Sequence, residues 1–215
     1  MNLALVGAHR TGKSTLARAF AQTHDIPFVQ TGATEVFKAL GLDPKAEYPI
    51  AERIAIQTSI LSAFEAQWLD AMSRSTFFIS DRSPIDLASY LLADVTRQTL
   101  AGQPAVAEAV NYYVQRCLES ANRFFATIVL VQPGIQLVEE EGKAPACPAY
   151  MEHLNALQLG LLTDSRLQAR NYVIRRECLD LEVRVQCLGN CLRAAQDKHY
   201  EVVGRKVQKG ELILH

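Results

Sequence analysis

No apolar run in this sequence is long enough to cross a bilayer. The longest nearly apolar stretch, Phe124–Val131, is broken by Thr127 and falls far short of the ~20 residues that a spanning helix needs. No membrane partner is expected. Nor is there an excess of either charge: 22 Lys and Arg face 23 Asp and Glu, a formal net charge of −1. Binding nucleic acid along its backbone takes a large basic surplus, so a general nucleic-acid binder is excluded, though a local basic groove is not. C-x-x-C pairs are missing. The five cysteines, Cys117, Cys147, Cys178, Cys187 and Cys191, follow neither a zinc pattern nor a disulfide framework. They read as reduced, mostly buried thiols of a cytoplasmic protein. There is no internal repeat, no low-complexity tract and no Pro/Gly/Ser linker. Leu3–Val6 is apolar but lacks a basic segment before it and a cleavage site after it, so no signal peptide is expected.

What is present suits a folded α/β domain. Of 215 residues, 49% are hydrophobic and 21% charged, close to ordinary globular composition. At ~100–200 residues per domain, a single domain over residues 1–215 is expected. Short apolar runs alternate with longer amphipathic stretches. Strands are predicted at 2–7, 26–30, 76–80, 125–131 and 171–175. Helices are predicted at 14–24, 33–40, 49–74, from Ser83 onward, over the second part of 133–164, and at 181–196. The helix over 49–74 repeats Ile50, Ile54, Leu61, Phe64, Trp68 and Met72 at steps of three, four or seven. Ser83-Pro84-Ile85-Asp86 has a cap, a first-turn proline and a carboxylate placed to bond back to the cap. Such a βαβ series argues for a mostly parallel sheet with helices on both faces. Ligands of such sheets bind beyond the carboxyl ends of the strands.

Gly7-Ala8-His9-Arg10-Thr11-Gly12-Lys13-Ser14 fits G-x-x-x-x-G-K-[ST], between an apolar strand and an amphipathic helix. Each residue type has a physical task. Gly7 and Gly12 permit backbone conformations that turn successive N–H groups toward one point. The following helix adds the positive end of its dipole. Lys13 can reach the β- and γ-phosphates of a nucleotide, and the Ser14 hydroxyl can ligate Mg²⁺. Thr11 and Thr15 complete the loop, with Thr15 near the α-phosphate, and Arg10 is a further candidate phosphate contact. His9 reads as an exposed loop position.

The motif alone leaves kinases, GTPases and ATPases open. The base-selecting N-K-x-D of GTPases is absent, and a large motor or AAA-type ATPase usually needs more chain. The discriminating segment is Phe77-Phe78-Ile79-Ser80-Asp81-Arg82-Ser83, a strand ending in Asp-Arg-Ser before a helix. Asp81 can accept a proton from an acceptor hydroxyl or hold Mg²⁺ through a water. Arg82 can offset charge on a transferring phosphoryl group. Phosphoryl transfer is mostly positioning and electrostatics, which these groups supply. Asp86 reads mainly as a helix cap.

On these residues the chain resembles the P-loop kinases of the nucleoside and nucleotide kinase group. Residues 81–91 are especially similar to small ATP-binding kinases of phages and bacteria, and Asp81 stands where deoxynucleoside kinases carry glutamate. The Asp-Arg-Tyr of thymidylate kinases is absent. The resemblance implies a three-layer fold with a five-stranded sheet ordered 2-3-1-4-5. It also implies ATP with Mg²⁺ as donor, and a nucleoside or nucleotide acceptor. Acceptor-side helices would span about 33–74, with Glu35, Arg53 and Gln57 as candidate acceptor contacts. A helical lid would span about 133–165, with Lys143, Arg166 and Arg170 as candidate cations. Glu139, Glu140 and Glu141 read as a solvated acidic loop, and Arg175 and Arg176 are indistinguishable from surface charge. Two alternatives stay open. One is a phage-type kinase acting on hydroxymethylated bases within DNA, which would need a basic track from Arg53, Arg74, Arg82 and Arg97. The other is a regulatory ATPase without a small acceptor. A homodimer is also left open.

Overall fold

The computed structural model describes residues 2–136 and 147–208. The chain runs β1 (Leu3–Val6), α1 (Lys13–His24), β2 (Phe28–Val29), α2 (Ala33–Ala39) and α3 (Ile50–Arg74). It continues through β3 (Ile79–Ser80), α4 (Pro84–Asp94), α5 (Arg97–Leu100), α6 (Pro104–Phe124) and β4 (Thr127–Val131). It ends with α7 (Pro148–Leu162), β5 (Arg170–Ile174) and α8 (Leu181–Gln208). The five strands form one sheet in the order β2-β3-β1-β4-β5. Every pairing in it is parallel.

The layers follow from the two-residue period of a strand. Leu3 and Leu5 of β1 join Ile79, Val129 and Val131 on one face, against Leu16 and Phe20 of α1 and Leu188 of α8. Ala4 and Val6 point the other way with Ile128 and Leu130. There they meet Ile60, Phe64 and Trp68 of α3, Ile85 and Leu91 of α4, and Cys117 and Leu118 of α6. Both faces are covered, which explains why β1 and β4 are buried along their whole length and carry no polar alternation.

The expected strand order and layers are those observed. Two stretches differ from the sequence reading. Helix α6, preceded by the short α5, fills a stretch for which that reading names no element. Its apolar face recurs at Val110, Tyr113, Val114, Cys117, Leu118 and Ala121, the three-and-four spacing of a buried helical stripe. Helix α8 continues to Gln208 rather than ending near 196. No helix among the described residues is long and apolar enough to cross a membrane.

The topology also sets the site. β3 and β4 are the immediate neighbours of β1. The loop after β1, Asp81 after β3 and the segment after Val131 therefore emerge side by side at one sheet edge.

Candidate functional site

The loop after β1 is built tightly. A Cβ on Gly7 would stand 2.6 Å from the Val131 carbonyl oxygen of β4, so Gly7 answers a need for space. The left-handed positions are Arg10, with φ 64°, and Gly12, with φ 85°. The first is unusual, because a non-glycine residue there costs about 1–2 kcal/mol. Thr11 is fully buried and its Oγ1 donates to the Ala8 carbonyl at 3.1 Å. Lys13 folds along the loop, and its Nζ donates to the Gly7 and Ala8 carbonyls, both at 2.7 Å. Ser14 and Thr15 lie exposed on the first turn of α1.

Lys13 is only 6% exposed. Burial, aided by the nearby Arg82 charge, pulls its pKa down from 10.5 to about 8. Anionic phosphates would push it back up. Between pH 8 and 10.5, the free protein would carry a neutral Lys13 and the phosphate-bound protein a charged one. Binding in that window takes up a proton, so affinity for a nucleotide triphosphate should fall as pH rises above about 8. Titration calorimetry at pH 9 in buffers of different ionisation enthalpy should show this uptake for the wild type and not for Lys13→Arg. Equal heats for the wild type in all buffers would refute it.

Asp81 is buried beside the loop. Ser14 Oγ donates to its Oδ2 at 2.5 Å. Thr31 donates to Oδ1 from its backbone N–H at 3.0 Å and its hydroxyl at 3.1 Å. No motif in the sequence marks Thr31. It follows β2, which pairs with β3, and so reaches the end of β3. The Ser14 hydroxyl and Asp81 carboxylate are hard oxygen donors of the kind Mg²⁺ takes together with substrate phosphates. Among the described residues, no group of three or more His, Cys, Asp or Glu could hold a metal by itself.

Asp86 does more than cap. It completes the capping box with Ser83, and its Oδ1 also accepts the Gly7 N–H at 3.2 Å. Arg82 Nη1 stands 3.9 Å from the same carboxylate. Burial raises the Asp86 pKa, against the opposing pull of the Lys13 and Arg82 charges. The Arg82 guanidinium lies 5.8 Å from the Tyr90 ring centroid, and the Tyr90 hydroxyl accepts the His9 N–H at 3.1 Å. Helix α4 thus ties Asp86, Arg82 and Tyr90 to the loop. A predicted cap hid this, because nothing local in sequence announces a contact 79 residues away.

Beyond Arg82 opens a cavity of about 640 Å³ whose walls include Phe37, Arg53, Gln57, Phe64, Tyr90 and Tyr150. Gln57 is 8% exposed, and its side-chain carbonyl oxygen has no partner. Arg53 is held by Asp94, with Nε to Oδ2 at 2.7 Å. Burial, and secondarily the Asp94 charge, pushes the Tyr150 hydroxyl up to about 12, so it stays protonated.

Other expected residues stand elsewhere. Glu35 is exposed on the first turn of α2, outside the cavity wall. Arg166 precedes β5 and pairs with Asp164 at 2.7 Å. Arg170 opens β5 opposite Thr127, the first residue of β4. Both belong to the amino edge of the sheet, which corrects their assignment to a lid over the phosphate loop. Lys143 and the three glutamates lie outside the described residues. Helix α7, within the expected lid, packs against the body through Met151, Leu154, Gln158 and Leu161, and Gln158 Nε2 donates to Ser89 of α4 at 3.1 Å. The four arginines of a DNA track are not assembled. Arg74 pairs with Asp70 at the far end of α3, just before β3 and hence at the amino edge.

The AAA domain family matches residues 2–133, from β1 to the end of β4. This chain belongs to the AAA domain family. Chain length therefore falls away as a reason to set that class aside. No curated protein matches this AAA domain in sequence. In structure it is similar to deoxyadenosine kinase from M. mycoides with bound dATP, at TM-score 0.62 and 16% identity, covering 90% of this chain and 100% of that one. The same enzyme with the products dCMP and dCDP gives TM-score 0.63 at the same identity and coverage. Thymidylate kinase from Candida albicans is similar at TM-score 0.55 and 12% identity, covering 91% and 92% of the two chains. The fold of this AAA domain is the P-loop kinase fold.

Proposed function

We propose that this AAA domain is an ATP-dependent kinase that transfers the γ-phosphoryl group of ATP to a hydroxyl of a nucleoside. The observation that carries the reading is the arrangement around Arg82. On one side is the phosphate loop with Ser14 bonded to Asp81. On the other is a mostly apolar cavity with an unpartnered side-chain carbonyl oxygen at Gln57. The likeness in fold to nucleoside and nucleotide kinases supports it.

In this reading the loop N–H groups and Lys13 hold the β- and γ-phosphates. Ser14 and Asp81 would hold Mg²⁺, which when bound neutralises charge on the phosphate oxygens. Arg82 borders both compartments and stabilises the transferring group. The acceptor oxygen bonds to the γ-phosphorus as the bond to the bridging oxygen of ADP breaks, and the hydroxyl proton passes to the Asp81 carboxylate or to an oxygen of the transferred phosphoryl group. An apolar wall excludes water from that path, so the acceptor hydroxyl is the nucleophile.

Charge selects a nucleoside over a nucleotide. The two arginines of the cavity wall already face carboxylates, Arg53 with Asp94 and Arg82 with Asp86. An acceptor phosphate would need surplus positive charge there. A neutral, flat acceptor with a hydrogen-bond donor suits the aromatic wall and the Gln57 carbonyl. Gln57→Leu should raise the acceptor KM about tenfold, the worth of one buried hydrogen bond, and leave the ATP KM and stability unchanged. Equal acceptor KM values in the two proteins would remove Gln57 from recognition.

The deciding experiment incubates the full chain with ATP, Mg²⁺ and a panel of nucleosides, nucleoside monophosphates and hydroxymethylated DNA. Phosphorylated nucleoside is the expected product. Phosphate release from ATP that is as fast without any acceptor would instead support a regulatory ATPase. Transfer to DNA, with binding that weakens steeply in salt, would support the DNA-kinase alternative.

A further inference from the structure

Arg184, one turn into α8, is 2% exposed and belongs to none of the motifs above. Its side chain reaches the phosphate loop, where Nη1 donates to the Thr11 carbonyl at 3.0 Å across 173 residues. Its Nε donates to the Cys178 carbonyl in the turn after β5. Nη2 is buried without a partner. A Cβ on Gly12 would stand 3.3 Å from Nη1. The guanidinium therefore braces the peptide between Thr11 and Gly12, whose left-handed conformation opens α1.

The charge is the unusual part. No carboxylate pairs with Arg184 among the described residues, and both of its partners are neutral carbonyls. Burial lowers its pKa, yet an arginine remains charged at working pH. Buried charges are ordinarily paired, and an uncompensated one is strongly destabilising. Here it sits directly behind the loop that an anionic ligand would occupy. In a low-dielectric interior, its field at that loop is weakly screened.

We propose that Arg184 is a positioning residue of the donor-phosphate site, fixing the Thr11–Gly12 peptide so that the loop N–H groups face the phosphates, with those phosphates supplying its missing counter-charge. The proposal rests on the nucleotide-donor reading above. It assigns to α8 a part in phosphate binding that the loop motif does not contain.

The test measures the dissociation constants of ATP, inorganic tripolyphosphate and adenosine for the full-chain wild type, R184M and R184K, with the melting temperature of each protein. R184M should weaken ATP and tripolyphosphate by a similar factor of about tenfold or more, as loss of a hydrogen bond to a charged group does, and leave adenosine unchanged. R184K keeps the charge but loses the fork, and should fall between. If R184M does not fold, R184K decides: weaker binding of both polyphosphates supports the proposal, and wild-type affinity overturns it. A loss confined to ATP would make Arg184 a base contact and overturn it. A lower melting temperature with unchanged affinities would make it a structural strut and also overturn it. Failure of the wild type to bind ATP or tripolyphosphate would bring down the donor reading itself, whereas normal wild-type binding matched by R184M brings down only this inference.

Discussion

Asp81→Asn is expected to lower phosphoryl-transfer turnover by at least about 10²-fold, the usual loss when one charged stabiliser of a transition state is removed. The change keeps the side chain's shape but not its bonding. Asp81 only accepts: Oδ2 takes the Ser14 hydroxyl and Oδ1 takes two donors from Thr31. An asparagine has one oxygen and one NH₂ group. Whichever way it turns, a donor faces Ser14 or faces the Thr31 N–H. The site also loses the negative charge proposed to bind Mg²⁺ beside Ser14. Turnover should be measured with saturating ATP and acceptor across a Mg²⁺ and Mn²⁺ titration. Partial recovery at high metal would mark Asp81 as a metal-side group. A flat loss, with a shifted pH profile, would mark it as the proton acceptor. Near-normal turnover would remove it from the catalytic machinery.

Much of this site was legible because its parts are local. The phosphate loop is a contiguous motif. Asp81 follows from one further step, since a residue just after β3 must stand beside the loop after β1 when those strands pair. The lid assignment fails on the same geometry. In a parallel sheet the chain must return to the amino edge before each strand begins. Arg166 and Arg170, which immediately precede or open β5, could not have stood at the carboxyl edge. Arg74, before β3, falls under the same rule. Helix α6 was legible too, in the spacing of Val110, Tyr113, Val114 and Cys117. Other features had no local signal. Asp86 looked like a cap because it is one, and its bond to the Gly7 N–H needs the register of α4 against β1. Arg184 touches the loop only because α8 packs beside α1. Glu35 shows the converse: a plausible residue type one strand from the site, turned outward by its helix.

Lys13→Met carries the second large expected effect. Turnover should fall by about 10²–10³-fold, since the buried cation proposed to hold the β- and γ-phosphates is lost. Stability should move little by comparison. The charged form of Lys13 is already disfavoured by burial, which is why its pKa lies near 8. Methionine is of similar length and removes that desolvation cost. Against this stands the loss of two hydrogen bonds to the Gly7 and Ala8 carbonyls, worth about 1.5–3 kcal/mol each when donated by a charged group. The opposing contributions are of one size, so the melting temperature should shift by only a few degrees while catalysis collapses. The dissociation constant for tripolyphosphate should rise with the loss of turnover, and that for adenosine should not. A variant that melts normally and turns over normally would show that the lysine of this loop does not serve phosphoryl transfer. A variant that unfolds would show that its bonds to the loop carbonyls outweigh the burial of its charge.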